Sequence, residues 1–515
     1  MEMNNNLRFA MLALILSCGL VFTSCSESDD NPVIPEEPQE SELTVEQWLA
    51  KIPGVSDVTV QKTTATEENL TQMTYYYFNF EQKVDHTDAA KGTFKQRVVL
   101  RYEGKDAVNV LHTQGYNTAA KADDLIPATL ASVLNGNHIE IEYRYFDSSL
   151  PEPFENLEFN YLSSMQASED YHAIVTALKG SGYLNGQWLA TGTSKSGIAS
   201  ALYAYYNEKK GYNDMDLYVP FCAPFCEGVA DPRLGQFMIE KTLTTLPSIR
   251  EKLLAIDREI VRKSDLSDYL VAKYKEENKG TIKEMEDAKY TEDQIVATII
   301  AYFVNASRLN LFDKLAYIPI DTWKDYIPDP TDKSTLDFTK FFIEKSWSEL
   351  LEYIKEHPKA STRAKTEAEM LKLRKEDLGW AYYIQAMLEL GHYRMYFDDL
   401  QPYLELTTME LILNKDEGML YIDYPTYAAR YSDAMTKDFI TNFLPKTTMK
   451  IIFVYGENDP WTGCAIPDPT NPNVQKIIVP KGGHNDFIDN EQYCPKETYQ
   501  QIMTAIKSNL QPTNK

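Results

Sequence analysis

An α/β fold with a mainly parallel sheet, interrupted by a large helical insertion before its last strands, is what this 515-residue sequence predicts. Three observations lead there. Strand and helix patterns alternate from Ala107 to Val219, as a sheet with crossover helices requires. The rhythm then stops, and helical patterns dominate for roughly two hundred residues. It resumes at Met449 with two further strands and an amphipathic helix, so the two parts of the sheet must meet across the insertion. The expected organisation is a leader over 1–25, a tether over 26–45, the first part of the α/β domain over 46–235, a helical cap over 236–435 and the second part of the domain over 436–515.

The leader follows from Phe9 to Phe22, an apolar run after Arg8 that is short for a bilayer span and placed where a signal-peptide core belongs. It ends in Phe22-Thr23-Ser24-Cys25, which resembles a bacterial lipobox, so Cys25 is the expected lipidation site. The single basic side chain beside Glu2, and the bulk of Phe22, leave plain secretion as the alternative. After Cys25 comes an acidic, Pro-rich stretch that cannot bury apolar surface and reads as a solvated tether. The expected location is the bacterial cell envelope, lipid-anchored, with the membrane face, surface display included, left open by the sequence.

The full chain has the composition of a soluble globular protein, 43% hydrophobic and 25% charged. Its 51 basic and 76 acidic side chains give a formal charge of −25, which disfavours nucleic acid and anionic membrane surfaces as partners. Contact with a membrane is therefore expected only through the lipid. Cys222, Cys226, Cys464 and Cys494 follow the leader; they allow three disulfide pairings, with buried free thiols as the other reading. No Cys-His spacing suits zinc, and no metal or cofactor is expected.

From Val58 to Val110 the chain alternates and is rich in Thr, Tyr, Phe and Val, which predicts antiparallel strands at one edge of the sheet. Strands are then expected at Val108 to His112 and Ile139 to Tyr145, a helix through Ala167 to Leu178, a strand at Gly186 to Ala190 and a helix from Lys195 to Tyr206. Inside the insertion, Ile249, Leu253, Ile256 and Ile260 recur at helical spacing. Thr291 is placed to cap a helix that carries Ile295, Ile299 and Phe303. The last part predicts strands at Met449 to Tyr455 and Lys476 to Val479, then a helix from Glu497 to Leu510.

The chemistry lies at the ends of these strands. Gln187-Trp188-Leu189-Ala190-Thr191 runs through Gly192-Thr193-Ser194-Lys195-Ser196-Gly197 directly into a helix, the context of a nucleophile elbow and hence of the α/β-hydrolase fold. The elbow needs small residues two before and two after the serine, and Gly192 and Ser196 meet that need. An N-capping serine would look similar, so the partners decide. Past the insertion, Tyr455-Gly456-Glu457-Asn458-Asp459-Pro460-Trp461 places an acid after a strand, with Asp459 preferred over Glu457. Lys481-Gly482-Gly483-His484 then supplies a histidine after the last strand. The other six histidines lie elsewhere.

Ser194, Asp459 and His484 thus stand in the order of a hydrolase triad, in which imidazole takes the serine proton and the carboxylate orients the imidazole. The oxyanion needs two backbone donors: the Lys195 amide after the nucleophile, and an amide from His112-Thr113-Gln114-Gly115-Tyr116, assigned to Tyr116 with Gly115 merely permissive.

The Gly-x-Ser-Lys elbow and the Tyr455 to Trp461 segment resemble the S37 prolyl tri/tetrapeptidyl aminopeptidases, the PS-10 group. Glu142-Tyr143-Arg144-Tyr145-Phe146 followed by Ser149-Leu150-Pro151 is similar to that family's Glu-His-Arg-Phe-Phe segment, with Tyr143 in place of histidine. Gln166-Ala167-Ser168-Glu169-Asp170-Tyr171-His172 matches its helix before the elbow. Trp380 to Gly391 resembles its Trp-Ala…Gln-Ala…Glu-Leu-Gly segment and, more loosely, that of the S28 prolyl carboxypeptidase-like enzymes. The resemblance implies peptide substrates and release of short N-terminal peptides, often after proline. Ser196 stands where the strict elbow has glycine.

An enzyme that measures from the substrate N-terminus needs a carboxylate for the ammonium, and Glu389 with Gln385 is the candidate pair. The competing reading of these two, at i and i+4, is support of their own helix or of its contact with the sheet. Two other functions share the sequence features: an esterase with the same triad, and a surface binding lipoprotein that kept the fold without activity.

Overall fold

The computed structural model describes residues 43–65, 72–153, 159–240, most of 257–304, 380–393, 400 and 430–510. Thr44–Lys515 is one compact unit. Cys25 and most of the tether, the Ile249, Leu253 and Ile256 positions, and most of the 236–435 interval lie outside the described residues.

Nine strands form one sheet: β1 Val55–Lys62, β2 Thr74–Lys83, β3 Thr93–Arg101, β4 Asn109–Thr113, β5 Asn137–Ile141, β6 Trp188–Thr193, β7 Leu217–Phe221, β8 Ile451–Gly456 and β9 Val474–Val479. Their spatial order is β1-β2-β3-β5-β4-β6-β7-β8-β9. The alternation of Tyr, Thr and Phe in β2 yields an antiparallel ladder with β1 and β3, as the sequence predicts, and β3 joins β5 antiparallel. From β5 to β9 every pairing is parallel. The central strands are buried on both faces, which explains why β4, β7 and β8 read as apolar runs rather than alternating ones. This order and these crossovers define the α/β-hydrolase fold.

β7 and β8 pair through Tyr218 with Ile451 and Phe221 with Val454, although the interval from Cys222 to Lys450 separates them in sequence. Within it, Thr291 caps as expected: its hydroxyl accepts from the Gln294 amide at 3.3 Å, while Gln294 Oε1 accepts from the Thr291 amide at 2.8 Å. Ile260, Ile295, Ile299 and Phe303 are buried.

One expected strand is shorter than its pattern. β5 ends at Ile141 rather than Tyr145, because the chain folds back on itself there. The Tyr145 amide donates to the Ser149 carbonyl at 2.8 Å, and Tyr145 and Asp147 take φ of 71° and 39°. The Glu142 carboxylate accepts from both the Ser148 and Ser149 hydroxyls across the turn. Beside it, Arg144 is fully buried and grips Asp170 through Nε at 2.8 Å and Nη2 at 2.6 Å, fixing the turn to the helix Ser164–Gly180.

The strand order reverses around β4, with β5 on one side and β6 on the other. Loops leaving β4 and β6 therefore diverge at one point of the sheet edge, where open α/β sheets form their ligand crevice. Behind it, Val110, Leu189, Val219, Ile452 and Ile477 form a core with Ile502 and Ile506 of the helix Lys496–Asn509.

Candidate active site

β6 turns into the helix Lys195–Lys210 through Ser194, whose φ of 60° and ψ of −125° are strained for a residue with a side chain. Such a conformation costs about 1–3 kcal/mol and persists only where the surroundings impose it. Here the Ser194 amide donates to the Phe221 carbonyl at 3.0 Å and its carbonyl accepts from Ile198 at 2.9 Å. A Cβ on Gly192 would lie 2.5 Å from the Ser196 carbonyl carbon, and one on Gly197 2.5 Å from the Phe221 oxygen. The turn is thus closed by glycines at both of these positions, while Ser196 keeps a side chain.

That side chain has work at the next loop. Ser196 Oγ accepts from the Gly115 amide at 2.9 Å and donates to Gln114 Oε1 at 3.0 Å. Thr113 Oγ1 donates to the Ser196 carbonyl at 3.0 Å. Gly115 is more than permissive: a Cβ there would fall 2.9 Å from the Ser196 nitrogen and 3.0 Å from the Lys195 carbonyl carbon. Sequence reading missed this because the requirement comes from close approach to the elbow and not from an unusual φ.

The acid and the histidine meet below. His484 Nδ1 and Asp459 Oδ2 are 2.8 Å apart, both residues being buried, and Asp459 Oδ1 accepts from the Trp461 amide at 2.9 Å. The loops that carry them are pressed together at Gly456, where a Cβ would meet the Gly483 oxygen at 2.4 Å. Glu457 points away, its Oε2 accepting from the Lys481 amide at 2.9 Å. Ser194 reaches this neighbourhood through Phe221, the residue before Cys222; the Cys222 thiol lies within 4.8 Å of the Asp459 and His484 ligand atoms.

Lys195 is 2% exposed, although it follows the candidate nucleophile directly. Its Nζ donates to the Gly115 carbonyl and lies 4.1 Å from the Tyr143 ring centroid, 4.5 Å from Phe146, 5.1 Å from Tyr116 and 5.8 Å from Tyr382. Burial pushes its amine well below the ordinary lysine range, against the pull of Glu389. Tyr143, which stands in place of the family histidine, is thus a wall of this aromatic enclosure.

Glu389 is only partly enclosed. Its Oε1 accepts from the Ser164 amide at 2.7 Å, the Ser164 hydroxyl at 2.8 Å and Gln385 Nε2 at 2.8 Å. Burial raises its pKa against those three bonds and the Lys195 charge. Gln385 is fully buried and also donates to the Tyr143 hydroxyl at 2.8 Å, so it serves Glu389 and Tyr143 from behind. Ser164 was invisible in the sequence as a partner, since nothing local ties it to a segment 225 residues away. Among the described residues, Asn458, 3% exposed, has no hydrogen-bond partner for either of its side-chain amide atoms.

Among the described residues, three groups bring ligand atoms within 4.8 Å of one another: His112, His138 and Glu140; Cys222, Asp459 and His484; Cys226, Asp231 and Cys464. Each carboxylate is already engaged, Glu140 by both histidines, Asp459 by His484 and Asp231 by Arg233. Cys222, Cys226, Cys464 and Cys494 are buried free thiols, with 3.9 Å between the Cys226 and Cys464 sulfurs.

Sheet order and strand-to-helix serine together define a hydrolase of the α/β type. Residues 37–336 match the model of the PS-10 peptidase S37 family, and the chain belongs to that family. It is a serine peptidase. It is 26% identical over 420 residues to the prolyl tri/tetrapeptidyl aminopeptidase of Streptomyces mobaraensis, covering 81% of this chain and 74% of that protein. It is 27% identical over 177 residues to the serine protease vicPb of Bipolaris victoriae (strain FI3), covering 29% and 33% respectively. Among solved structures, 2-hydroxy-6-oxo-6-phenylhexa-2,4-dienoate hydrolase from Rhodococcus sp. strain RHA1 covers 88% of this chain and 100% of its own at 8% identity and a TM-score of 0.33.

Proposed function

We propose that this peptidase releases short peptides, of three or four residues, from free N-termini, with cleavage after proline preferred, through a Ser194-His484-Asp459 acyl-enzyme mechanism. The observation that carries the triad is the buried 2.8 Å contact between His484 Nδ1 and Asp459 Oδ2, in the loops that follow β9 and β8, with β7 lying between those strands and β6, which leads into the strained Ser194. With Asp459 accepting the Nδ1 proton, the imidazole is held in the tautomer whose Nε2 is basic. Nε2 removes the Ser194 proton as Oγ attacks the scissile carbonyl, then returns it to the departing amine. Water, activated by the same nitrogen, releases the peptide from the ester. The Lys195 and Tyr116 amides stabilise the oxyanion in both steps.

The N-terminal specificity rests on Glu389. Its hydrogen bonds among the described residues all fall on Oε1, which leaves Oε2 for the substrate ammonium. The interval between β7 and β8 acts as the cap that bounds the cleft and keeps folded proteins out. Cys25 carries the lipid that holds the enzyme at the cell envelope; metabolic labelling with an alkyne fatty acid, lost in Cys25→Ala, tests that part.

The function is tested by incubating the protein with proline-containing peptides whose N-termini are free or acetylated, with mass spectrometry of products beside a Ser194→Ala control. Tri- and tetrapeptides from free-amine substrates alone, absent in the control, are expected. Cleavage of both sets alike would remove the aminopeptidase reading, and turnover of esters without peptides would replace it with an esterase.

A further inference from the structure

We propose that Lys195 is a positioning residue that sets both halves of the oxyanion hole: one by its own backbone N–H, the other by gripping the Gly115 carbonyl so that the Tyr116 N–H of the same peptide plane turns toward the site. The inference rests on the reading of Ser194 as nucleophile.

The geometry is that of one rigid plane. The Gly115–Tyr116 peptide is trans, as is every described peptide bond, so its carbonyl and its N–H point in opposite directions. Lys195 Nζ holds the carbonyl end. Ser196 Oγ holds the amide of the preceding plane at 2.9 Å. Two consecutive elbow residues therefore clamp Gly115 from both sides, and the missing Cβ lets the loop lie directly against the elbow backbone. Donation to the carbonyl also polarises the plane and strengthens its N–H as a donor, an effect that grows in a water-poor setting.

The surroundings keep the amine on this task. Rings of Tyr143, Phe146, Tyr116 and Tyr382 line its enclosure, all within the range of cation–π attraction. No ordinary stability argument favours a buried lysine here, because an apolar side chain would fill the same aromatic enclosure without desolvating an amine. The elbow helix could begin with any residue that supplies a backbone N–H. A lysine supplies that N–H and the reach to align the second one.

The test uses full-length protein with Lys195→Met, which fits the enclosure but cannot donate. Three quantities are read: kcat and KM on a free-amine peptide anilide, and the rate at which a fluorophosphonate, whose phosphoryl oxygen occupies the oxyanion hole, modifies Ser194. The expected result is a fall in kcat of roughly a hundred- to a thousandfold, the range for loss of one oxyanion donor. KM should stay within about threefold, and phosphonylation should slow in parallel with kcat. Lys195→Gln, which keeps a donor of shorter reach, should recover part of both rates and replaces Lys195→Met if that variant does not fold. A folded Lys195→Met enzyme with kcat within about threefold of wild type overturns the clamp. So does a loss of kcat with phosphonylation unchanged. If wild-type protein is not phosphonylated at Ser194, the reading of the nucleophile falls and takes the clamp with it.

Discussion

Glu389 accepts the Ser164 amide at 2.7 Å and the Ser164 hydroxyl at 2.8 Å, so a carboxylate from the interval between β7 and β8 sits on the first turn of the helix that precedes the elbow. Negative charge is stabilised at that position by the unpaired amides and the dipole of the helix. The contact makes the structural role of Glu389 real and at the same time fixes where its second oxygen must be.

The first prediction separates the two roles. Glu389→Gln keeps an oxygen that can accept from Ser164 but removes the charge. An ammonium–carboxylate hydrogen bond contributes about 1.5–3 kcal/mol. Turnover of free-amine peptides should therefore fall by roughly ten- to a hundredfold, with N-acetyl peptides little affected. Steady-state kinetics on matched substrate pairs checks this, and equal losses on both would leave Glu389 as a helix-capping residue only.

A second prediction concerns pH. Burial raises the Glu142 carboxyl from its ordinary 4.5 to about 7, outweighing the Arg97 guanidinium 3.0 Å away and the Ser149 hydroxyl. The folded state then binds more protons than the unfolded state between those two values, so stability from this group is complete below pH 4.5 and is lost as pH rises through 7. Urea unfolding of wild type and Glu142→Gln across that window should show the wild-type advantage shrinking with rising pH, by no more than about 3 kcal/mol in all. A difference that is flat in pH would show that Glu142 is ionised throughout.

A third prediction tests the buried pair that holds the turn after β5. Arg144 and Asp170 are both fully buried, and removing one partner strands the other charge. Asp170→Asn should destabilise the protein by about 3–5 kcal/mol, whereas the apolar double change Arg144→Met with Asp170→Leu should lose less than either single change. Chemical denaturation of Arg144→Met, Asp170→Leu and the double variant, beside Asp170→Asn, measures the coupling. Additive losses would mean that the guanidinium's bonds to the Lys83, Val84 and Tyr161 carbonyls, and not the ion pair, hold the turn.

How much of this was legible follows from where each constraint resides. The candidate triad positions Ser194, Asp459 and His484 could be read because each lies within five residues of the end of a strand, and strand, turn and residue type all lie within a dozen neighbours. The end of β5 could not, because the turn at Tyr145 is imposed by bonds to Ser148 and Ser149 that a strand-like run of Tyr and Phe conceals. Gly115, Ser196 and the Lys195 amine were illegible for a different reason. Their contacts join loops 80 and 81 residues apart, brought together only when β4 and β6 pair. Ser196 looked like a departure from the motif and proves to be the acceptor for Gly115.

The last prediction discriminates the two acids after β8. Asp459 and Glu457 are two residues apart on one loop, yet only Asp459 meets the imidazole; Glu457 is exposed and faces the Lys481 amide. Asp459→Asn would present an amide where Nδ1–H needs an acceptor and would favour the tautomer with its proton on Nε2. The serine would then lose its base while the fold persists. In serine proteases of another fold this change lowers kcat by about ten-thousandfold, and a loss of that order is expected here with KM little changed. Glu457→Gln still offers an oxygen to Lys481 and should leave kcat within about twofold, since exposed polar contacts of this kind contribute little. If the larger loss came instead from Glu457→Gln, the loop would have to rearrange on substrate binding, and the His484–Asp459 contact would belong to a resting state.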